Sequence, residues 1–368
     1  MATAYATKLA EAFSQKLLKE MYDRSLTDVV VNRDYQGEIN EVGSIINILN
    51  FDRISEQTYT KGGLAVEDLT ENNTQLVIDQ YKSFYWKEYT LDRWLSYIKN
   101  PHATVVQQKA DDRNRNMDTF VLGLYGDVAA GNRVGTDVTG TLTDIVVTTG
   151  VVTSAGTEFQ ADMVGRGFKA AGHTSWYRIK TYTSTSEIVI EDDRDDIDSA
   201  YTGGAIGAVA FTVEAADVFQ VTTANLLQKV SELREKLNIA DRDEKSSVPD
   251  SDRWLIVPPE FETLLVRASG VVLHVPEAYQ ELVKKGFITE LQGFKVFRSN
   301  RLTGDNTDGF RVLAGHPNWC TFAEKLLHAD IEEILIGDFG SAYKDLFVYG
   351  AKVTDSRRHF AAEGFWKF

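Results

Sequence analysis

The sequence predicts an α+β protein with an all-β segment in the middle of the chain. Two stretches, Ala110–Ala130 and Thr223–Leu237, have apolar residues at the three- and four-residue spacing of amphipathic helices. Between them, residues 135–215 are dominated by Thr, Val, Gly and Ser and have no helical period. The composition changes at both ends of this segment, which predicts a separate β module inserted between two helices.

The first quarter of the chain is predicted to contain a helix followed by an extended hairpin. Apolar residues recur at four-residue spacing from Leu9 to Met21, which favours a helix. Residues 45–51 and 75–89 are rich in aromatic and β-branched residues, as strands are. The long polar stretch between them contains a Lys-Gly-Gly turn at 61–63, so we expect a hairpin arm.

The middle elements follow from proline, glycine and the period of the apolar residues. Pro101 opens an element, and the helix over 110–130 is predicted to stop at Gly131-Asn132. Four strands are predicted inside the β module: Asp144–Thr149, Ser175–Lys180, Glu187–Glu191 and Ala208–Val213.

The last third of the chain is predicted to be mixed. Trp254–Val257 is typical of a buried strand, and Pro258-Pro259 begins a helix, because the first helical N–H groups need no partner. Further strands are predicted at Gly293–Phe297 and Phe310–Ala314, and a strand over Asp345–Val353 is predicted to close the chain.

The charge balance excludes some function classes. The 368 residues include 39 Lys and Arg against 54 Asp and Glu, a net charge of −15. This argues against a general nucleic-acid binder and against a polybasic membrane binder. The N-terminus lacks the apolar core of a signal peptide, and charge-free runs fall short of the ~18 residues that span a bilayer. We therefore expect a soluble protein of a reducing compartment.

The sequence contains no recognisable catalytic or metal-binding pattern. Cys320 is the single cysteine, so an intrachain disulfide and a thiolate zinc site are excluded, and a small buried residue is favoured over a catalytic thiol. Neither a GxSxG nor a GxxxxGK[ST] motif occurs. The histidines are scattered and lack HExxH spacing: His102, His173, His274, His316, His328 and His359.

Two glycine-rich stretches are candidates for phosphate-binding loops. Gly165-Arg166-Gly167 and Gly203-Gly204…Gly207 do not lie between a strand and a helix, so turns in the β module are favoured. An acidic run from Glu191 to Asp198 has the oxygen ligands for calcium but not the EF-hand spacing, which favours a solvated loop. Asp305–Gly309 has the composition of a turn.

Two basic segments are candidates for nucleic-acid contacts. Basic and aromatic residues alternate in Lys82–Arg93 and could stack single-stranded bases, but an amphipathic strand is favoured. The Arg357-Arg358 pair is interpreted as an exposed charge pair rather than a phosphate contact.

Five segments carry a family resemblance. They are VNRDYQGEINEVGSIINI (31–48), KGGLAVEDL with VIDQYKSFYWKEYTLDR (61–93), WLIVPPEFETLL (254–265), GFKVFRSNRL (293–302) and LFVYGAKVTDSRR (346–358). In this order they resemble segments of tailed-bacteriophage major capsid proteins of the Hong Kong 97-like fold. The segment 135–215 resembles the small β insertion domains of some phage coat proteins.

The resemblance implies a division of the chain. In this division residues 1–45 form an N-terminal arm, 46–90 an extended loop hairpin and 91–134 the peripheral domain with its long spine helix. Residues 135–215 form a β insertion domain. Residues 216–345 form the axial domain with part of the peripheral domain, and 346–368 form the C-terminal strand of the peripheral domain. Some relatives cross-link through a lysine of the extended loop, and Lys61 lies in the matching region, but the sequence gives no basis for assigning that chemistry.

The resemblance also implies a structural, non-catalytic function without cofactor or metal. The expected partner is the chain itself, as pentamers and hexamers of an icosahedral shell that encloses double-stranded DNA with weak contact. Scaffolding, portal and decoration proteins are further expected partners, and no membrane is. The expected location is the virion, after assembly in the host cytoplasm. Two alternatives remain open, an encapsulin-like compartment and a hydrolytic enzyme with a β accessory module.

Overall fold

The computed structural model describes residues 25–35, 45–51, 71–95, 101–146, 148–191, 201–239, 247–272, 290–334 and 339–368. These residues belong to two compact units. The first comprises the described parts of 33–117 and 322–351, and the second comprises those of 26–32, 118–321 and 352–368. The amphipathic helix predicted from Leu9 to Met21 lies outside the described residues.

The helices of the described residues are α1 (Thr27–Val30), α2 (Thr90–Leu95), α3 (Pro101–Leu122), α4 (Leu226–Ile239) and α5 (Pro259–Val272). Pro101 stands at the first position of α3, where a missing N–H costs nothing. The prediction of a helix over 110–130 was wrong at both ends. Regular α-helix stops at Leu122, and a 3₁₀ segment follows over Gly123–Asp127, because two glycines within five residues disfavour continuing the helix.

The strands of the first half are β1 (Val31–Asn32), β2 (Ile45–Phe51), β3 (Glu71–Val77), β4 (Gln80–Tyr89), β5 (Arg133–Val134), β6 (Thr136–Val146), β7 (Val151–Ser154), β8 (Gly167–Ala170), β9 (Tyr177–Ser184) and β10 (Glu187–Glu191). The strands of the second half are β11 (Ala210–Asp217), β12 (Phe219–Gln220), β13 (Trp254–Val257), β14 (Glu290–Leu291), β15 (Phe294–Arg298), β16 (Gly304–Asp305), β17 (Gly309–Gly315), β18 (Cys320–Ile334), β19 (Gly340–Lys352) and β20 (Ala361–Lys367).

The first unit contains the predicted hairpin and a sheet. Strands β2 and β3 pair antiparallel from Ile45 opposite Val77 to Phe51 opposite Glu71, which confirms the base of the hairpin. Its connecting segment, residues 52–70, lies outside the described residues. The single strand predicted over 75–89 is instead two strands, because the chain leaves β3 at Ile78 and starts β4 in another sheet.

The sheet of the first unit is built on long strands. β4 pairs antiparallel with β19, which pairs with β18, and β4 is the edge strand among the described residues. Apolar residues of the hairpin and of this sheet form one buried cluster, namely Ile46, Ile48, Leu76, Ile78, Ala323 and Val348. Burial of this cluster holds the hairpin base on the sheet, since each buried aliphatic side chain contributes about 1.5–3 kcal/mol.

The second unit contains a closed antiparallel barrel. Its six strands follow the order β10-β7-β6-β11-β8-β9 and come from the segment predicted to be all-β. The four predicted strands overlap β6, β9, β10 and β11, whereas β7 and β8 were missed because four residues are too few to show a period. Phe159, Phe168 and Phe211 fill the interior with mutual ring contacts.

The same unit contains an eight-stranded mixed sheet. Six of its strands are neighbours in the order β12-β20-β17-β13-β15-β14, and in addition β16 pairs with β17 and β5 pairs with β20. β13 is buried along its whole length, as predicted, and lies parallel to β15 and antiparallel to β17. The apolar faces of α4 and α5 share one buried core with this sheet. The predicted helix over 223–237 is confirmed, with bounds shifted to Leu226–Ile239.

The end of the chain differs from the prediction of one terminal strand over 346–368. β19 ends at Lys352, a 3₁₀ segment spans Asp355–Phe360, and β20 then pairs with β17 in the sheet of the second unit. Residues from Lys352 onward therefore belong to the second unit rather than with 346–351. The sequence AAEGFWK was missed as a strand because Glu363 and Gly364 interrupt its apolar run, and tertiary contacts of Glu363 explain that interruption.

Candidate functional site

The described residues contain no group of three or more His, Cys, Asp or Glu side chains placed to hold a metal ion. Within the same ranges, no helix is both long enough and apolar enough to cross a membrane.

Cys320 is the first residue of β18 and is fully buried. Burial, which excludes water, and the nearby Asp127 carboxylate raise the pKa of the Cys320 thiol far above its ordinary value. The thiolate, which is the reactive form, is thereby suppressed. The interpretation of Cys320 as a small buried residue is confirmed.

The stretch Gly165-Arg166-Gly167 forms a turn in the barrel, as predicted, but the Arg166 side chain has a partner that the sequence did not indicate. Gly165 has a φ of 82°, in the region that favours glycine. Arg166 is fully buried and donates to the Glu363 carboxylate rather than pointing at solvent. The segment from Gly203 to Gly207 forms neither helix nor strand.

The acidic run begins inside the fold and continues outside the described residues. Glu191 is the last residue of β10 and is 1% exposed. Its carboxylate pairs with Arg178 at 2.9 Å and Lys180 at 3.7 Å. The prediction of a solvated loop is therefore wrong for Glu191, because two cations neutralise it in the barrel wall, and Asp192–Asp198 lie outside the described residues.

Asp305–Gly309 is the predicted turn, here between β16 and β17. The Asp305 carboxylate accepts the backbone N–H groups of Thr307 and Asp308. These two hydrogen bonds hold the pKa of Asp305 below its usual range, as expected for a carboxylate that accepts N–H donors.

The histidines are held by local contacts in the described ranges. The His173 ring accepts the N–H of Ala170 and lies 2.9 Å from the Tyr201 hydroxyl. His316 caps a short 3₁₀ helix by accepting the N–H of Asn318. His359 lies in the 3₁₀ segment before β20, His102 lies in α3, His328 lies in β18, and His274 lies outside the described residues.

The basic-aromatic segment from Lys82 is a strand, which confirms the favoured interpretation. Its residues form most of β4, with α2 directly after it. Alternate side chains take opposite faces. On one face the Trp86 ring stacks on Tyr343 at 5.1 Å and Phe84 contacts the Lys109 ammonium at 4.9 Å.

The interpretation of Arg357-Arg358 as an exposed pair was wrong for Arg358. This side chain is fully buried and its Nε donates to the Asp127 carbonyl at 3.1 Å. The burial of Arg358 depends on this tertiary contact with a residue that is distant in the sequence. The arginine supplies a donor to backbone that would otherwise be buried without a partner.

A buried charge cluster joins the barrel to the eight-stranded sheet, and the sequence did not reveal it. Glu363 of β20 is 1% exposed and pairs with Arg166 and Arg311, each at 3.0 Å. Arg133 of β5 lies 3.4 Å from the same carboxylate, and Asp162 pairs with Arg311 from the other side. We call these five residues the Glu363 cluster.

The electrostatics of the Glu363 cluster depend on burial and on neighbouring charge. Burial alone would raise the pKa of Glu363, but Arg166, Arg133 and Arg311 together hold it below its ordinary value. Burial lowers the pKa of Arg133 to about 9, against the attraction of Glu363. In this cluster three arginine side chains face two carboxyl groups. Because the cluster is buried, removing one of its members would leave its partners without compensating charge.

The only sequence signal for this cluster was weak. Glu363 interrupts an apolar run, and Arg166 stands between two glycines, but its partners are 52 to 230 positions apart. A single sequence cannot show such pairing, because it depends on the register of β17 and β20.

A second buried carboxylate fixes the segment that precedes β1. Asp118 of α3 accepts the N–H of Thr27 at 2.9 Å and its hydroxyl at 2.6 Å. It also accepts the N–H of Leu26 and pairs with Arg301. Since Asp118 is 1% exposed, these contacts tie the start of the described chain firmly to the second unit.

Exposed apolar side chains are concentrated on one part of the first unit. We define the β4 surface as Tyr81 and Tyr85 of β4, Leu91 and Trp94 of α2, and Phe339 just before β19, which are 61–86% exposed. The N–H of Thr90 donates to the Phe339 carbonyl at 2.9 Å, which places Phe339 beside the junction of β4 and α2. The other large apolar side chains counted as exposed among the described residues are only 37–49% exposed.

No family model and no curated protein matches this sequence. Solved structures do match over nearly the whole chain. "Capsid structure of the Cyanophage P-SCSP1u" is 14% identical with a TM-score of 0.58, and covers 100% of this chain and 95% of its own. "Asymmetric unit of bacteriophage PhiM1 mature capsid" is 11% identical with a TM-score of 0.55, covering 97% and 91%. "Mycobacterium phage Che8" is 16% identical with a TM-score of 0.55, covering 96% of each chain.

At such identities the likeness concerns the fold. The chain has an α+β fold shared with phage capsid structures, and the resemblance to phage major capsid proteins noted from the sequence is supported.

Proposed function

We propose that this chain is the major capsid protein of a tailed phage, with a structural rather than catalytic function. The carrying observation is the fold, which the chain shares from end to end with phage capsid structures. The exposed β4 surface supports the same proposal, because large apolar patches mark association sites.

In this proposal the Hong Kong 97-like division of the chain applies with one amendment. Residues 1–45 are the N-terminal arm, 46–90 the extended loop, and 91–134 the peripheral domain with α3 as its spine helix. Residues 135–215 are the insertion domain, which corresponds to the barrel, and 216–345 are the axial domain with part of the peripheral domain. The C-terminal strand of the peripheral domain ends at residue 351, and 352–368 return to the sheet of the second unit.

The proposed product is an icosahedral shell of pentamers and hexamers that encloses double-stranded DNA. Scaffolding and portal proteins would direct assembly in the host cytoplasm, a decoration protein would bind the finished shell, and the chain would reside in the virion. The net charge of −15 is consistent with weak contact to packaged DNA.

The proposal is tested by purifying the full chain and following its association by sedimentation velocity and negative-stain electron microscopy. Closed shells of uniform diameter are expected. A chain that stays monomeric at every concentration, in the presence and absence of divalent cations, would contradict the proposal.

The same preparation discriminates the alternatives. Nuclease-protected DNA in shells from infected cells would support the phage function, whereas a co-purifying enzyme inside the shell would indicate an encapsulin-like compartment. Turnover on a panel of glycoside and ester substrates, abolished by single carboxylate substitutions, would indicate a hydrolase.

A further inference from the structure

We infer that the β4 surface binds a second copy of this chain and is a main source of association energy between subunits. This inference rests on the proposed function and names the partner of one surface. Its five members have the highest exposure of the large apolar side chains among the described residues. Singly exposed apolar residues are ordinary, but five on adjoining elements are not.

The arrangement of the β4 surface suits docking. Tyr81 and Tyr85 are four residues apart on one strand, so their side chains share a face. α2 follows β4 without a connecting residue and presents Leu91 and Trp94, which are 64% and 80% exposed. These four residues therefore lie on a strand that is at the edge of its sheet among the described residues and on the helix that follows it.

Its size approaches that of a protein contact. An aromatic side chain has roughly 150–250 Å² to bury, so five side chains at these exposures offer about 600 Å². A standard interface takes about 800 Å² from each partner. Tyrosine and tryptophan are also the residues on which binding energy concentrates.

Charge argues for a second copy as the partner. The chain carries a net charge of −15, yet residues 80–95 contain three basic and two acidic residues. An acidic second copy is therefore repelled less by this segment than by the rest of the chain. A basic or neutral partner of another kind would have no such preference for this segment.

The first experiment removes apolar surface without touching the core. The purified double variant Leu91→Ser/Trp94→Ser is compared with the native chain by sedimentation velocity over a series of protein concentrations. We expect half-maximal association of the variant to need about tenfold more protein or more. Val146→Ser, at a 41% exposed position of the barrel, is the matched control and should associate like the native chain. Thermal unfolding midpoints should agree among all three, because the substituted side chains are exposed.

The second experiment does not use the double variant and measures instead how accessible the β4 surface is in assemblies. Ser83, between Tyr81 and Tyr85, is exposed and is replaced by cysteine in Ser83→Cys, whereas native Cys320 is buried and gives little background. A maleimide reagent should label Ser83→Cys rapidly in dilute protein and at least about tenfold more slowly in assemblies.

The outcomes are distinct. Native-like association of the double variant, or equal labelling of Ser83→Cys in dilute and assembled protein, would overturn the inference while leaving the proposed function intact. A native chain that forms no oligomer would overturn both.

Discussion

Replacing Glu363 by glutamine tests the strongest energetic statement about this fold, which is that the barrel is held on the eight-stranded sheet by a buried charge cluster. Glu363→Gln keeps the shape of the side chain and removes its charge. Arg166 and Arg311, each 3.0 Å from the carboxylate, and Arg133 at 3.4 Å then lose their shared counter-ion. Asp162 remains, and its carboxylate pairs directly with Arg311.

The expected loss follows from the burial of these groups. The side chains of Glu363, Arg133 and Arg166 are 0–1% exposed and that of Arg311 is 5% exposed, so water does not replace the missing charge. Removing one partner of a buried ion pair costs about 3–5 kcal/mol. For a cooperative unit of this size, about 4 kcal/mol lowers the unfolding midpoint by roughly 8–16 °C.

The assay is thermal unfolding of the unassembled chain by calorimetry and near-ultraviolet circular dichroism. Glu262→Gln is the matched control, because Glu262 pairs with a half-exposed Arg298 at 3.2 Å and its loss costs no more than about 1 kcal/mol. Adding Arg166→Met to Glu363→Gln should recover part of the loss, since one uncompensated cation is removed. If Glu363→Gln unfolds within about 1 °C of the native chain, the account of the cluster is wrong.

Three further predictions concern pH, reactivity and salt. Burial lowers the pKa of His173, whose ring accepts the Ala170 N–H, so this histidine binds a proton at higher pH in the unfolded chain than in the folded one. The free energy of unfolding should therefore fall as the pH drops below about 6.5. An unfolding midpoint that does not change between about pH 7.5 and 5.5 would contradict this. Cys320 should resist a thiol reagent at pH 8 until denaturant is added, because burial raises its pKa; rapid reaction of the folded chain would show that the site opens. Assembly followed by light scattering should strengthen as sodium chloride rises, because copies carrying −15 repel one another; weaker association in salt would instead indicate attraction between opposite charges as the main force.

Local sequence patterns predicted much of the secondary structure. The strand Trp254–Val257, the proline-initiated helix after it and the turn at Asp305–Gly309 all have their signals within a few residues. The all-β composition between the helices likewise predicted where the barrel lies. These features depend on side-chain period, proline and glycine, which a single sequence displays directly.

Errors occurred where distant residues decide the conformation. Helix α3 was placed too late, and β20 was missed because its charged residue looked incompatible with an interior strand. Arg358 was assigned to the surface because sequence gives no sign of the Asp127 carbonyl that it contacts. The errors at β20 and Arg358 concern polar groups whose partners are far away along the chain, whereas the end of α3 depends on the nearby Gly123 and Gly126.

The sequence by itself determined an α+β protein with a β segment between helices, a single cysteine that excludes an intrachain disulfide, and a family resemblance carried by five ordered segments. Tertiary structure alone decided that the β segment closes into a barrel, that Glu363 neutralises arginines from three other strands and turns, and that apolar surface remains exposed along β4. The physical reason is that period and composition specify which face of an element avoids water, whereas pairing register and long-range contacts specify which other element covers that face.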